Sequence, residues 1–129
     1  MRDRLVQVAK EAQANAYAPY SGFKVGAALQ ADDGRIFAGA NVENASYGLT
    51  NCAERVALGA AVAAGARRFK RLVIVTEASP PSAPCGACRQ VLAEMGTELA
   101  VESVGPASAR RWKLATLMPD RFGPEDLAP

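Results

Sequence analysis

The sequence predicts an α/β domain of three layers, with a mixed, roughly five-stranded sheet held between helices. Three observations point there: an apolar period of about 3.6 residues at the start, a two-residue alternation on both sides of an Asp-Gly turn, and an unbroken apolar run set between two further helical stretches. All 129 residues, 1–129, are expected to form one domain, since a chain of 13.5 kDa can bury a core without disulfide staples.

Leu5, Val8, Ala9, Ala12 and Ala16 recur at helical spacing and make one narrow apolar face, so the first element is an amphipathic helix from Arg2 to Ala16. Pro19 and Gly22, in Tyr17-Ala18-Pro19-Tyr20-Ser21-Gly22, end it and turn the chain. Phe23, Val25, Ala27 and Leu29 alternate with Lys24, Gly26, Ala28 and Gln30. After Asp32-Asp33-Gly34 the alternation resumes at Ile36, Ala38, Ala40 and Val42, which reads as a hairpin whose glycine supplies the positive φ of a tight turn. The Ala-rich stretch Asn51–Ala64, closed by Gly65, is the second helix. Leu72–Val75 is continuously apolar, as a central strand covered on both faces would be. Pro80, Pro81 and Pro84 mark a loop, and Cys85–Met95 has helical spacing again. Leu99–Val101 reads as a strand, Ser103–Lys113 is poorly patterned with room for one more after Gly105-Pro106, and Pro119–Pro129 reads as coil or single helical turns.

Composition narrows the function classes. Half the residues are apolar, 22% are charged, and Lys+Arg exceed Asp+Glu by 15 to 13, so no net field favours nucleic acid or an anionic membrane as partner. Arg67, Arg68, Lys70 and Arg71 read as a solvated turn at a helix C-terminus, with a polyanion site as the alternative. The first residues lack the apolar run of a signal peptide, and no stretch approaches the roughly 18 apolar residues of a membrane span, so a cytoplasmic location is expected. There is no histidine, which removes the Ser-His and Cys-His hydrolase mechanisms and leaves acid-base work to a carboxylate or water.

All three cysteines fall in two short motifs, Cys52-Ala53-Glu54 and Pro84-Cys85-Gly86-Ala87-Cys88, each opening a predicted helix. Cys85 and Cys88 alone fit a metal pair, a redox dithiol or two small buried hydrophobes. With Cys52 they fit zinc, because three thiolates leave a fourth tetrahedral position for water, which marks a catalytic site rather than a structural one. Helix N-termini favour thiolates, so each motif helps deprotonate its own ligand. An ideal helical wheel puts Cys52 and Glu54 on nearly opposite sides, so Cys52 must occupy an irregular first turn for both to face the ion. Zn²⁺ with three thiolates carries a formal charge of −1, and Arg55 is placed to withdraw charge from the sulfurs, the alternative being a surface arginine. Glu54 is then the acid-base group, taking a proton from the zinc-activated water and returning it to the substrate, the alternative being a capping charge at the helix end. A zinc module that only holds the domain together would need a fourth protein ligand, and with no histidine and no fourth cysteine only a carboxylate could supply it.

Tyr17-Ala18-Pro19-Tyr20-Ser21, Phe23-Lys24-Val25-Gly26-Ala27-Ala28-Leu29, Asn41-Val42-Glu43-Asn44-Ala45, Cys52-Ala53-Glu54-Arg55 and Pro84-Cys85-Gly86-Ala87-Cys88-Arg89-Gln90-Val91-Leu92 together closely resemble the small homotetrameric zinc-dependent cytidine deaminases, and the likeness runs from about Leu5 to Leu127. The resemblance implies a cytidine deaminase-like fold, one zinc per subunit, and hydrolysis of free cytidine and deoxycytidine to uridine products and ammonia in pyrimidine salvage. It implies that Phe23 stacks near the pyrimidine, that Asn41 and Glu43 hold the ribose 3′-hydroxyl, and that Ala53 contacts the substrate. Asn41 and Glu43 are two apart in a predicted strand, so their side chains leave the same face. A carboxylate awaiting a free 3′-hydroxyl disfavours the phosphodiester of DNA or RNA. The resemblance also implies a homotetramer in which Ala45, Tyr47 and Phe122 reach a neighbouring subunit's site. The nearest rival is a deaminase of the same architecture acting on another aminopyrimidine, such as the nucleoside antibiotic blasticidin S.

Overall fold

The alternating segments around Asp32-Asp33-Gly34 pair as an antiparallel hairpin, β1 (Gly26–Ala31) with β2 (Ile36–Ala40), and Gly34 has the positive φ of 96° that its turn requires. The structure, a computed structural model, describes residues 2–127. Met1, Ala128 and Pro129 lie outside the described residues. Helix α1 spans Arg2–Ala14, α2 Ala53–Ala63, β3 Phe69–Val75, α3 Gly86–Ala93, β4 Ala100–Val104, β5 Ala109–Lys113 and α4 Leu114–Leu117, with 3-10 turns at Tyr47–Leu49 and Pro124–Leu127. The five strands form one sheet in the order β2-β1-β3-β4-β5, parallel only between β3 and β4, hence mixed as expected.

The layers follow from side-chain parity in the strands. Ala28 of β1 and Val73 and Val75 of β3 face α1, where they pack on Leu5 and Ala9. Ala27, Leu29 and Ala31 of β1, with Leu72 and Ile74 of β3, face the other way and pack on Ala57, Leu58 and Ala61 of α2 and Leu92 and Ala93 of α3. Every residue of β1 is therefore buried, including Gln30, whereas alternation suggested one wet face. Small side chains permit this double coverage. At Gly39 of β2 a Cβ would run into the Ala53 carbonyl and the Ala57 amide, so that residue lets the first turn of α2 lie directly on the sheet.

Several boundaries differ from the sequence reading. Phe23, Val25, Asn41 and Glu43 fall outside the strands, because the Asn41 side chain takes over the ladder's partners: its Oδ1 accepts from the Val25 N–H at 2.9 Å and its Nδ2 donates to the Phe23 carbonyl at 2.8 Å. Helix α2 starts at Ala53 rather than Asn51, since the Asn51 backbone pairs with Val42 instead. The weakly patterned 103–113 segment holds the end of β4 and all of β5. Its alternation is masked by edge-strand charges, with Arg111 paired to Glu102 at 3.1 Å and Arg110 stacked over Trp112 at 4.6 Å. The single turn of α4 had no sequence counterpart. Arg67 of the basic cluster donates to the Val62 and Ala66 carbonyls at 3.0 and 2.9 Å, so it caps the end of α2. Among the described residues no helix is long and apolar enough to cross a membrane.

Candidate functional site

Helices α2 and α3 both begin at a cysteine. Cys52 is the N-cap of α2, with extended backbone (φ −74°, ψ 153°), and Cys85 is the N-cap of α3 (φ −68°, ψ 166°). The geometric demand placed on Cys52 is thus met: it stands one residue before the helix, and Glu54 follows inside the first turn. The Sγ atoms of Cys85 and Cys88 lie 3.5 Å apart, those of Cys52 and Cys85 3.9 Å, and all three fall within 4.8 Å of one another. A tetrahedral ion with Zn–S bonds of ~2.3 Å needs sulfurs ~3.8 Å apart, so the trio fits zinc as it stands. One ion per chain satisfies these ligands.

Electrostatics within the trio agree with that donor set. The neighbouring Cys88 thiol and, after it, the Arg55 guanidinium hold the Cys52 pKa down to about 5. Cys88, fully buried, is pushed upward in turn, chiefly by its interaction with Cys52 and then by burial. A set of sulfurs that cannot all ionise together is what a divalent cation stabilises. Arg55 Nη2 donates to Cys52 Sγ at 3.5 Å, so its charge sits on the sulfurs and not in open solvent.

Glu54 is 5% exposed, and burial is the main cause that raises its carboxyl above the ordinary value, followed by the Cys52 charge. Cys52, Ala53, Glu54 and Cys85 line one side of a cavity of about 280 Å³. Ser21, Phe23, Asn41 and Glu43 line the other side. The structure therefore brings Phe23, Asn41, Glu43, Ala53 and Glu54 to one cavity in a single chain. Ala45, Tyr47 and Phe122 are not part of its lining. All three are exposed, Tyr47 at 75% and Phe122 at 59%.

The loop wall is fastened by side chain to backbone bonds. Glu43 Oε1 accepts the N–H groups of Tyr20 at 3.0 Å and Ser21 at 3.1 Å, and Glu43 Oε2 accepts the Ser21 hydroxyl. Ser21 Oγ also accepts the Phe23 N–H at 2.9 Å. The Ser21 hydroxyl is the largest cause that keeps the Glu43 carboxyl below its ordinary value. So although β2 ends at Ala40, Asn41 and Glu43 still reach the same side, one bonding the 23–25 backbone and the other the 20–21 backbone.

Sequence reasoning missed part of the lining. Thr76, Ser82 and Ala83 belong to the loop before Cys85, which Arg89 ties at the Pro84 carbonyl (2.8 Å) and Arg110 at the Pro81 carbonyl (3.3 Å). The three prolines flagged that loop, but nothing in its pattern told which residues face inward. Ser21 stood within a recognised motif without a role.

The family model described as "Cytidine and deoxycytidylate deaminase zinc-binding region" matches residues 1–103. A cytidine deaminase of Sporosarcina psychrophila is 44% identical over 98% of this chain and 94% of its own. Among solved structures, cytidine deaminase from Burkholderia pseudomallei superposes with a TM-score of 0.91 at 51% identity, covering 95% of this chain and 99% of that one. The cytidine deaminase of Mycobacterium tuberculosis gives 0.82 at 46%, covering 95% and 97%. With a matching zinc-binding region over most of its length, relatives this similar from end to end and a cysteine trio spaced for zinc, the chain belongs to the cytidine deaminase family.

Proposed function

We propose that the chain hydrolyses free cytidine and deoxycytidine to uridine and deoxyuridine with release of ammonia, as a zinc enzyme of pyrimidine salvage working in the cytoplasm. The observation that carries this is the buried Glu54 beside three zinc-spaced sulfurs, facing Phe23, Asn41 and Glu43 across a cavity of nucleoside size. Cys52, Cys85 and Cys88 would hold the zinc ion, which when bound would supply an acidified water to the cavity.

Glu54 does the proton work. It takes a proton from the attacking water and delivers it to ring N3 as the water oxygen bonds to C4. It then moves the second proton from the new hydroxyl to the exocyclic amine, and the C4–N bond breaks to release ammonia. A carboxyl raised above its ordinary value by burial suits a group that must both accept and donate. Arg55 offsets the negative charge of the sulfurs. Phe23 stacks on the pyrimidine, the Ala53 backbone borders it, and Asn41 and Glu43 receive the ribose. The charge of Glu43 repels a 3′-phosphate, which confines the enzyme to free nucleosides.

The chain acts as one domain, 1–129, within a homotetramer in which Ala45, Tyr47 and Phe122 serve a neighbouring subunit's site. Their exposure and their absence from the same-chain cavity lining support this. The test is uridine formation from cytidine by zinc-loaded protein, its loss after chelation and its return with zinc. Cytidine 3′-phosphate and blasticidin S serve as the other substrates, and neither is expected to react. Absence of zinc-dependent deamination of cytidine overturns the proposal.

A further inference from the structure

Ser21 joins the two halves of the substrate wall. Its hydroxyl donates to Glu43 Oε2 and accepts the Phe23 N–H at 2.9 Å, so one side chain touches both the carboxylate proposed for the sugar and the backbone of the residue proposed for the base. An ionised carboxylate offers about four lone-pair directions. Three on Glu43 are already occupied, two by the Tyr20 and Ser21 N–H groups and one by the Ser21 hydroxyl. The direction that remains is on Oε2, the oxygen that Ser21 orients. Ser21 itself has its only side-chain proton on Glu43, so it has none left to donate to a substrate.

We infer that Ser21 is a positioning residue for sugar selectivity: its hydroxyl aims the last acceptor direction of Glu43 at a single ribose hydroxyl. This rests on the proposed reading of Glu43 as the 3′-hydroxyl acceptor. The loss of the hydroxyl is a local change, because the surrounding loop has other fasteners. Asn41 brackets the segment at the Phe23 carbonyl and the Val25 N–H, and the two N–H groups still hold Glu43 Oε1. Without the Ser21 hydroxyl, Oε2 accepts from any direction and the carboxylate loses its aim while keeping its charge. Ser21 is exposed, so a threonine methyl at this position has solvent to occupy.

The experiment compares cytidine with 3′-deoxycytidine, using zinc-loaded Ser21→Ala, Ser21→Thr and Glu43→Gln beside the parent. Ser21→Ala is expected to raise KM for cytidine roughly 10-fold, the usual scale for a hydrogen bond to a charged group. Its kcat on cytidine and its KM for 3′-deoxycytidine stay within about 2-fold of the parent, an unresolved difference on that same scale. Ser21→Thr restores the preference for the 3′-hydroxyl. An equal loss on both nucleosides, or a parental KM for cytidine in Ser21→Ala, overturns the inference. If Glu43→Gln abolishes the 3′-hydroxyl preference while Ser21→Ala retains it, Ser21 alone is wrongly assigned. If Glu43→Gln keeps the preference, the ribose contact falls and the role of Ser21 falls with it.

Discussion

The two sides of the cavity are built by different physics. The metal side is made of helix starts packed on the sheet: Ala53, Glu54 and Cys88 are buried, and Gly39 lets α2 close on β2 without a gap. The opposite side is made of loops, where Ser21 and Phe23 are exposed and position comes from hydrogen bonds to Glu43 and Asn41. Packing fixes the reacting groups to within fractions of an ångström because cores are close-packed. Hydrogen-bonded loops fix a recognition surface while leaving it free to admit and release a ligand. Damage to the first side is therefore expected in turnover and metal content, and damage to the second in KM and selectivity.

The largest expected effect is on the metal side. Cys88→Ala removes a buried ligand, and metal analysis should find the zinc lost together with all measurable deamination. Glu54→Gln comes next: zinc content and fold stay, while kcat drops by at least about 10²-fold to 10⁴-fold, and near-normal turnover refutes the assignment. Gly39→Val forces α2 off the sheet and is expected to cost about 1–3 kcal/mol in thermal or urea unfolding, with weaker zinc binding because Cys52 and Glu54 ride on that turn. A variant of full stability breaks the claim that packing positions this side.

On the loop side the effects are smaller. Glu43→Gln should raise KM for cytidine roughly 10-fold with kcat largely kept, and a kcat defect of the same size erases the contrast between the two sides. The smallest effect is one of pH. Glu43 has a depressed carboxyl, held first by the Ser21 hydroxyl, so its contribution is complete above the ordinary carboxylate range and is lost only as pH falls through its lowered value. KM for cytidine is expected to stay flat from neutrality down to about pH 5, and a rise above that range counts against an anchored carboxylate.

The sequence carried the metal side almost whole, because its residues are contiguous. Cys52-Ala53-Glu54 and Cys85-Gly86-Ala87-Cys88 lie at helix starts where spacing translates directly into geometry, down to the prediction that Cys52 must stand outside regular helix. The hairpin, the central β3 and the turn at Gly34 were legible for the same reason, since each rests on a local period or a local dihedral. The loop side was legible only in part. Phe23, Asn41 and Glu43 entered through resemblance, and their expected strand is replaced by the amide of Asn41 bridging the backbone at residues 23 and 25. Residues 16 and 18 apart in sequence exchange those bonds, and no periodicity encodes them.

What the chain determined by itself was its chemistry: three thiols, no imidazole and one carboxylate two positions from a cysteine leave few catalytic sites other than an open zinc centre. What only the tertiary structure decided was where that chemistry meets a substrate. The sulfurs converge because α2 and α3 pack side by side on one face of the sheet, and the Ser21–Glu43 wall closes over them because two distant loops share hydrogen bonds. Local spacing is written in covalent geometry, whereas the meeting of distant segments is settled by burial and by bonds that exist only after the sheet has formed.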